Sequence, residues 1–173
     1  MNNYNWSKFK RKIYIKAPLI DIFDAWTKPH NITTWFIKEA KYTDRTGNNR
    51  AQDETVQNGD EYYWDWHQNL QSSGKVIEVV PNKLFKFTFG NKEKGSDEKV
   101  IVSVEFKSGD GETEYTLTQE NMGGADLDMA QYHLSCNMGW SFFMTNMKAV
   151  YENGIDLREH DPVRAMDTRA LSL

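Results

Sequence analysis

The stretch DLDMAQYHLSCNMGWSFFMTNMKAVYEN, residues 126–153, decides the fold because it carries a long helix pattern after a chain of short strands. Its apolar side chains recur every three or four residues, which is the spacing of one face of an α-helix. They are Tyr132, Cys136, Trp140, Phe143, Met147 and Val150. The regular spacing predicts one continuous buried face. At about 1.5 Å per residue the helix would be roughly 40 Å long, so we also expect a wide sheet that covers it.

The sequence before this helix alternates between apolar and polar residues, which is the period of half-buried β-strands. We count about seven such strands: 8–16, 36–43, 62–66, 74–80, 85–89, 100–106 and 113–119. Pro18 favours a helix start after the first strand, and Pro29 divides that region into two short helices. The sequence therefore predicts an α+β fold of order β-αα-β6-α, with a curved antiparallel sheet wrapped around the C-terminal helix.

Length and composition narrow the class of protein. The 173 residues fit a single domain 1–173, with a core at 9–158 and a tail at 159–173 that adds a short helix. One cysteine excludes an intramolecular disulfide, and the N-terminal residues lack the apolar run of a secretion signal, so we expect a cytoplasmic protein. No apolar run is long enough to insert into a membrane, and a net charge of -4 gives no attraction to nucleic acid. A monomer and a homodimer are both compatible with these properties.

Two polar regions are open to functional interpretation. Residues 8–16 place their lysines on one strand face, which is typical of a solvated sheet surface that deters aggregation. Residues 44–58 contain almost no apolar side chains, and we expect an exposed, mobile connection there, either disordered or acting as a lid.

Candidates for catalysis and metal binding are few. Asp65 and His67 share a strand face, and a carboxylate beside an imidazole is the arrangement of a general base. His133 and Cys136 lie three residues apart on the long helix, where both would reach a metal ion. No further residue completes either site, and the sequence has no nucleophile elbow, phosphate loop or dinucleotide-binding turn. We therefore expect no metal and no cofactor.

The inward-facing side chains are the better candidate site. By period, one face of the strands and one face of the helix point toward the space between sheet and helix, and the residues there are mostly aromatic. We predict that they line a pocket for a small hydrophobic molecule, aromatic or lipid-like. The predicted ligand-binding residues are Tyr62, Trp64, Trp66, Phe85, Phe87, Val102, Tyr115, Leu117, Gln119, Cys136, Trp140 and Phe143. The alternative interpretation is that the same residues only fill the core, because protein interiors are close-packed.

Several motifs in this order resemble those of the Hsp90 ATPase activator-like domains, which belong to the START and Bet v 1-like (SRPBCC) superfamily. They are the pair Trp35-Phe36, Gly74 followed by VIEVVPNKLFKFTF at 76–89, the pair Glu112-Thr113, MGW at 138–140 and MKAVYENGIDLR at 147–158. The resemblance covers roughly residues 9–158. It implies a helix-grip fold with a hydrophobic pocket between the sheet and the last helix.

The resemblance leaves more than one function open. Relatives in this superfamily assist the Hsp90 chaperone, carry lipids or plant hormones, or act as cyclases. We expect non-enzymatic binding of a small hydrophobic ligand. The first alternative is a co-chaperone-like protein-interaction module with a chaperone as its partner. The second is a cyclase-like enzyme that uses Asp65, His67 or Gln119.

Overall fold

The structure is a computed structural model that describes residues 4–66, 70–90, 100–123, 127–161 and 164. It has seven strands and three helices within those residues, in the predicted order. The elements are β1 Lys8–Ile15, α1 Leu19–Thr27, α2 Pro29–Ile32, β2 Glu39–Thr43, β3 Glu61–Asp65, β4 Gln71–Val80, β5 Leu84–Thr88, β6 Ile101–Ser108, β7 Thr113–Glu120 and α3 Leu127–Asn153. The predicted α+β fold is confirmed.

The strands form one antiparallel sheet in the order β1-β7-β6-β5-β4-β3-β2. The register of β4 against β5 shifts between Val76 and Glu78, and such a bulge bends a strand and increases its twist. The sheet curves so that its inner face turns toward the helices. Among the described residues, no helix has both the length and the hydrophobicity that a membrane span requires.

Two predicted strand boundaries are wrong. The second strand begins at Glu39 and not at Phe36, because Phe36 and Ile37 lie in the turn after α2 and are buried in the core. The fourth strand begins at Gln71 and not at Gly74, because Gln71 pairs with Asp65 of β3.

Helix α3 ends where the sequence predicts. Gly154 has φ +68°, and its N–H donates to the Val150 carbonyl oxygen at 2.8 Å. Glycine adopts this left-handed conformation at little cost, which is why it commonly follows the last helical residue. The predicted short helix in the tail falls mostly on residues outside the described ones.

The core between sheet and helices is aromatic and centres on Trp26 of α1. The Trp26 ring lies 4.7 to 6.3 Å, between centroids, from six other aromatic rings. They are Trp35, Phe36, Phe85, Phe87, Tyr115 and Trp140. The short N-terminal helices thus fill much of the space that the sequence assigned to a pocket.

The polar segment 44–58 is tied to the body, where the sequence suggested a mobile connection or lid. Arg50 donates two hydrogen bonds to the Asp60 carboxylate, at 2.8 and 2.9 Å, and Asp60 is 1% exposed. Val56 is fully buried, and its N–H donates to the Thr27 carbonyl oxygen at 2.9 Å. A buried carboxylate needs such partners to offset its lost hydration, so the ion pair holds the segment next to the start of β3, and the Val56 hydrogen bond holds it against the end of α1.

Candidate ligand-binding site

A cavity of about 470 Å³ lies between the N-terminal half of α3, the β3–β4 connection and the end of β5. Its size falls in the range of about 300 to 1,000 Å³ that is typical of pockets for small molecules. The described residues that line it are Phe36, Trp66, Leu70, Gln71, Ser72, Phe89, Gly90, Tyr132, Ser135, Cys136, Gly139, Trp140 and Phe143.

Apolar and aromatic side chains dominate this lining. Among the described lining residues, Gln71, Ser72 and Ser135 have polar side chains, and none carries a formal charge. A charged group loses much of its hydration in such surroundings and finds no charged partner among the described lining residues. The chemistry of the wall therefore favours a neutral, largely apolar ligand.

The aromatic wall is held rigid by ring contacts and one buried hydrogen bond. Phe36 stacks on Trp140 with centroids 5.1 Å apart and an interplanar angle of 24°. Trp66 and Phe143 meet the Phe36 ring edge-on, at 5.1 and 4.8 Å. Trp140 Nε1 donates to Gln119 Oε1 at 2.6 Å in a fully buried position. This bond fixes the orientation of the indole that forms the floor of the cavity.

The predicted ligand-binding residues divide into two groups. Four of them line the cavity: Trp66, Cys136, Trp140 and Phe143. Eight are buried in the core beside it and do not line it: Tyr62, Trp64, Phe85, Phe87, Val102, Tyr115, Leu117 and Gln119. Strand periodicity identifies the inner face of the sheet, but it does not show which part of that face Trp26 and Trp35 cover. Contact of any of these residues with a ligand remains a prediction.

The side chains of α3 that line the cavity differ in burial from what the sequence predicts. Trp140 and Met147 are buried as predicted, whereas Tyr132, Cys136, Phe143 and Val150 are half-buried. The first three of these half-buried residues line the cavity. The expectation of one continuous buried face along α3 is therefore wrong at Tyr132, Cys136 and Phe143, because these side chains border the cavity.

Sequence reasoning missed nine lining residues. Phe89 and Tyr132 were in phase with residues that we selected, so extending the pattern by one position would have found them. Phe36 was assigned to a strand, and the glycines and serines give no apolar signal. The nine are Phe36, Leu70, Gln71, Ser72, Phe89, Gly90, Tyr132, Ser135 and Gly139.

The structure gives little support to the candidates for chemistry. Asp65 is half-buried and does not line the cavity, and His67 lies outside the described residues. Both ring nitrogens of the buried His133 are engaged, Nε2 with the Tyr4 hydroxyl and Nδ1 with the Trp6 carbonyl oxygen, each at 2.8 Å. The part of the chain that the structure describes contains no cluster of three or more His, Cys, Asp or Glu side chains that would hold a metal ion.

Known proteins share this fold. A protein from Colwellia psychrerythraea, solved in solution as the Aha1 dimer, is 19% identical with a TM-score of 0.67, covering 85% of this chain and 97% of that one. DynU16, from the dynemicin biosynthetic locus, is 16% identical with a TM-score of 0.68, covering 88% of this chain and 50% of that one. An HSP90 activator from Plasmodium falciparum is 18% identical with a TM-score of 0.58, covering 83% of this chain and 95% of that one.

These identities are low, so the structural likeness shows the fold alone. No curated protein is significantly similar to the chain. A sequence model of one family, described as Activator of Hsp90 ATPase homolog 1-like protein, matches residues 16–152. That match runs from the end of β1 to the last turn of α3, and the chain belongs to the Activator of Hsp90 ATPase homolog 1-like family.

Proposed function

We propose that this protein binds a small, neutral, hydrophobic molecule in the cavity beside α3, without chemical conversion. The observation that carries the proposal is the cavity with its aromatic wall. It has a volume of about 470 Å³, and no described lining residue carries a formal charge. Binding there removes apolar surface of both ligand and wall from water, which stabilises the complex by about 25 cal/mol of free energy per Å² buried.

Two adjacent phenylalanines of α3 provide a matched test. Phe143 lines the cavity, whereas Phe142 is 43% exposed and does not line it. Phe143→Asp places a carboxylate on the cavity wall, so we expect the affinity for the neutral probe N-phenyl-1-naphthylamine to fall at least tenfold. Phe142→Asp makes the same change on the outer side of the helix and should leave that affinity within about twofold of the unchanged protein.

The measurements are fluorescence titration of the probe and native mass spectrometry of the purified protein. A retained apolar molecule in the unchanged protein, lost in Phe143→Asp, supports the proposal. Circular dichroism establishes that both variants are folded. Equal probe binding by both variants, with folding intact, would contradict the proposed binding in the cavity.

A second function is favoured by the outer side of α3. Leu134, Met138 and Phe142 follow one another at four-residue spacing and are 55%, 60% and 43% exposed. No Asp, Glu, Lys or Arg occurs between Asp128 and Lys148. An exposed apolar row of this kind suits contact with a partner protein, and relatives of this fold include an HSP90 activator.

The same pair of variants separates the two functions. If the row binds an Hsp90-type chaperone, Phe142→Asp should abolish capture of purified Hsp90 in a pull-down while probe binding persists. Phe143→Asp should have the opposite profile. Capture that is unaffected by Phe142→Asp, or absent from the unchanged protein, would remove the chaperone role. Size-exclusion chromatography with light scattering reports whether the row instead joins two copies of the chain.

A further inference from the structure

Gly139 occupies the middle of α3, where glycine is a costly choice. A glycine inside a helix is less favourable than alanine by about 1 kcal/mol. Two structural needs commonly explain such a residue: a positive φ angle or the close approach of a neighbouring group. Gly139 does not have a positive φ angle, and apart from its chain neighbours and the surrounding backbone of α3, no heavy atom of the described residues lies within 4 Å of the position that its Cβ would take.

Gly90, across the cavity, is a glycine that the backbone conformation requires. Its φ is +82°, and a Cβ there would lie 2.5 Å from the Tyr132 hydroxyl oxygen. Both glycines line the same cavity. The fold requires Gly90, whereas nothing that the structure describes requires the absence of a side chain at position 139.

The missing side chain enlarges the cavity. Tyr132, Cys136, Gly139 and Phe143 follow at steps of four, three and four residues, so they form one stripe of α3 along the cavity. Any side chain at position 139 would project from this stripe into space that no described side chain fills. The cavity therefore extends to the backbone of α3 at one point, between the flanking Cys136 and Phe143.

We propose that Gly139 sets the size limit of the ligand, and that the ligand is a neutral polycyclic molecule whose ring edge lies against the helix backbone there. This inference rests on the proposed binding function. Interior helix amides are already hydrogen-bonded to carbonyl oxygens one turn away, so the contact at Gly139 is van der Waals contact. Rigid aromatic walls and a described lining free of formal charge favour fused rings over flexible or ionised chains.

The test compares probes of different size and charge. The probes are naphthalene with two rings, pyrene with four, and pyrene-1-carboxylate as the charged counterpart. The variants are Gly139→Ala and Gly139→Leu, with Gln131→Leu as a control that introduces the same leucine at an exposed position of the same helix. Dissociation constants come from quenching of tryptophan fluorescence, since Trp66 and Trp140 line the cavity.

We expect Gly139→Leu to weaken pyrene binding at least tenfold and naphthalene binding less than threefold. The affinity of Gly139→Ala for pyrene should lie between those of Gly139→Leu and the unchanged protein. Gln131→Leu should match the unchanged protein. Pyrene-1-carboxylate should bind the unchanged protein at least tenfold more weakly than pyrene. Gly139→Ala should also raise the melting temperature, whereas a glycine required for packing would give a lower one.

Each contrary result has a distinct meaning. Equal losses of pyrene and naphthalene in Gly139→Leu, or no loss of either, would overturn the size limit. Equal affinity for pyrene and its carboxylate would overturn the neutral class of ligand. A failure of the unchanged protein to bind any of the three probes would overturn the proposed function itself.

Discussion

At the scale of single residues, His133 is a polar side chain of α3 that the helix pattern did not predict as buried. It is fully buried, and its ring is surrounded by Tyr4, Trp6 and Phe9 at centroid distances of 5.2 to 5.5 Å. The Trp6 carbonyl oxygen can only accept a hydrogen bond, so Nδ1 carries the proton. In the neutral ring Nε2 then accepts from the Tyr4 hydroxyl. One imidazole thereby fastens the N-terminal segment to α3.

Tyr4→Phe tests this attachment. The change removes the hydroxyl donor and leaves Nε2 of His133 buried without it, so we expect a loss of about 1 kcal/mol in the free energy of unfolding. Urea denaturation followed by circular dichroism measures it. Tyr63→Phe removes a hydroxyl from the half-buried outer face of β3 and should change stability by less than about 0.5 kcal/mol. Equal effects of the two changes would show that the His133 hydrogen bond contributes nothing.

At the scale of elements, the end of α3 is fixed by a polar network. The Asn146 amide donates to the Trp35 carbonyl oxygen at 2.7 Å and to the Asp156 carboxylate at 3.0 Å. Arg158 binds the same carboxylate and also donates to the carbonyl oxygens of Ile37 and Thr33, each at 3.0 Å. This network joins the residues after α3 to the turn that carries Trp35 and Phe36, and so it positions one wall of the cavity.

Asp156→Asn tests the network through its pH dependence. Burial raises the pKa of Asp156, but hydrogen bonds from Arg158 and Asn146 outweigh burial, so the pKa lies below its usual value near 3.8. A lowered pKa in the folded state means that the carboxylate stabilises the protein above about pH 4 and loses this effect as the pH falls further. We expect the variant to be about 2 kcal/mol less stable at pH 7, with the difference shrinking below pH 4.

The measurement is urea denaturation at several pH values between 7 and 2. Glu78→Gln, which removes an exposed carboxylate from β4, should show no such convergence. A constant difference between Asp156→Asn and the unchanged protein across this range would refute the assignment of the carboxylate as the charged centre of the network.

Element type could be predicted from the sequence better than element contacts. Alternation along β5 and β7 and the three-to-four spacing along α3 depend only on local geometry, and both are confirmed. Asn146 and His133 were missed because an apolar pattern gives no weight to a polar residue that is buried with its partners. The carbonyl oxygens of Trp6 and Trp35, which His133 and Asn146 bind, lie more than 100 residues away in sequence, and periodicity contains no information at that distance.

At the scale of the whole molecule, the cavity exists because α1 fills only part of the space under α3. Trp26 occupies the centre of the core, while Trp66 stands at the cavity wall and is half-buried. Which inward-facing residues become core and which become wall therefore depends on where α1 and the turn after α2 dock. That docking is a property of tertiary packing, and so four of the twelve predicted residues reached the wall.

Replacing each tryptophan with alanine tests this division. Trp26→Ala leaves a void at the centre of the core and should cost about 3 to 5 kcal/mol of stability. Trp66→Ala enlarges an existing cavity and exposes less apolar surface, so we expect less than half that loss, together with weaker binding of N-phenyl-1-naphthylamine. Denaturation curves and the probe titration report both effects. If Trp66→Ala is as destabilising as Trp26→Ala, the indole at 66 belongs to the core.

The pairing of β1 with β7 also bears on synthesis of the chain. Residues 8–15 find their strand partner at residues 113–120. At a translation rate of roughly 5 to 20 residues per second, the first strand is synthesised roughly 5 to 20 s before its partner. The strand β1 therefore joins the sheet only after all the other described strands have been synthesised, and α3, which completes the wall of the cavity, follows them in the chain.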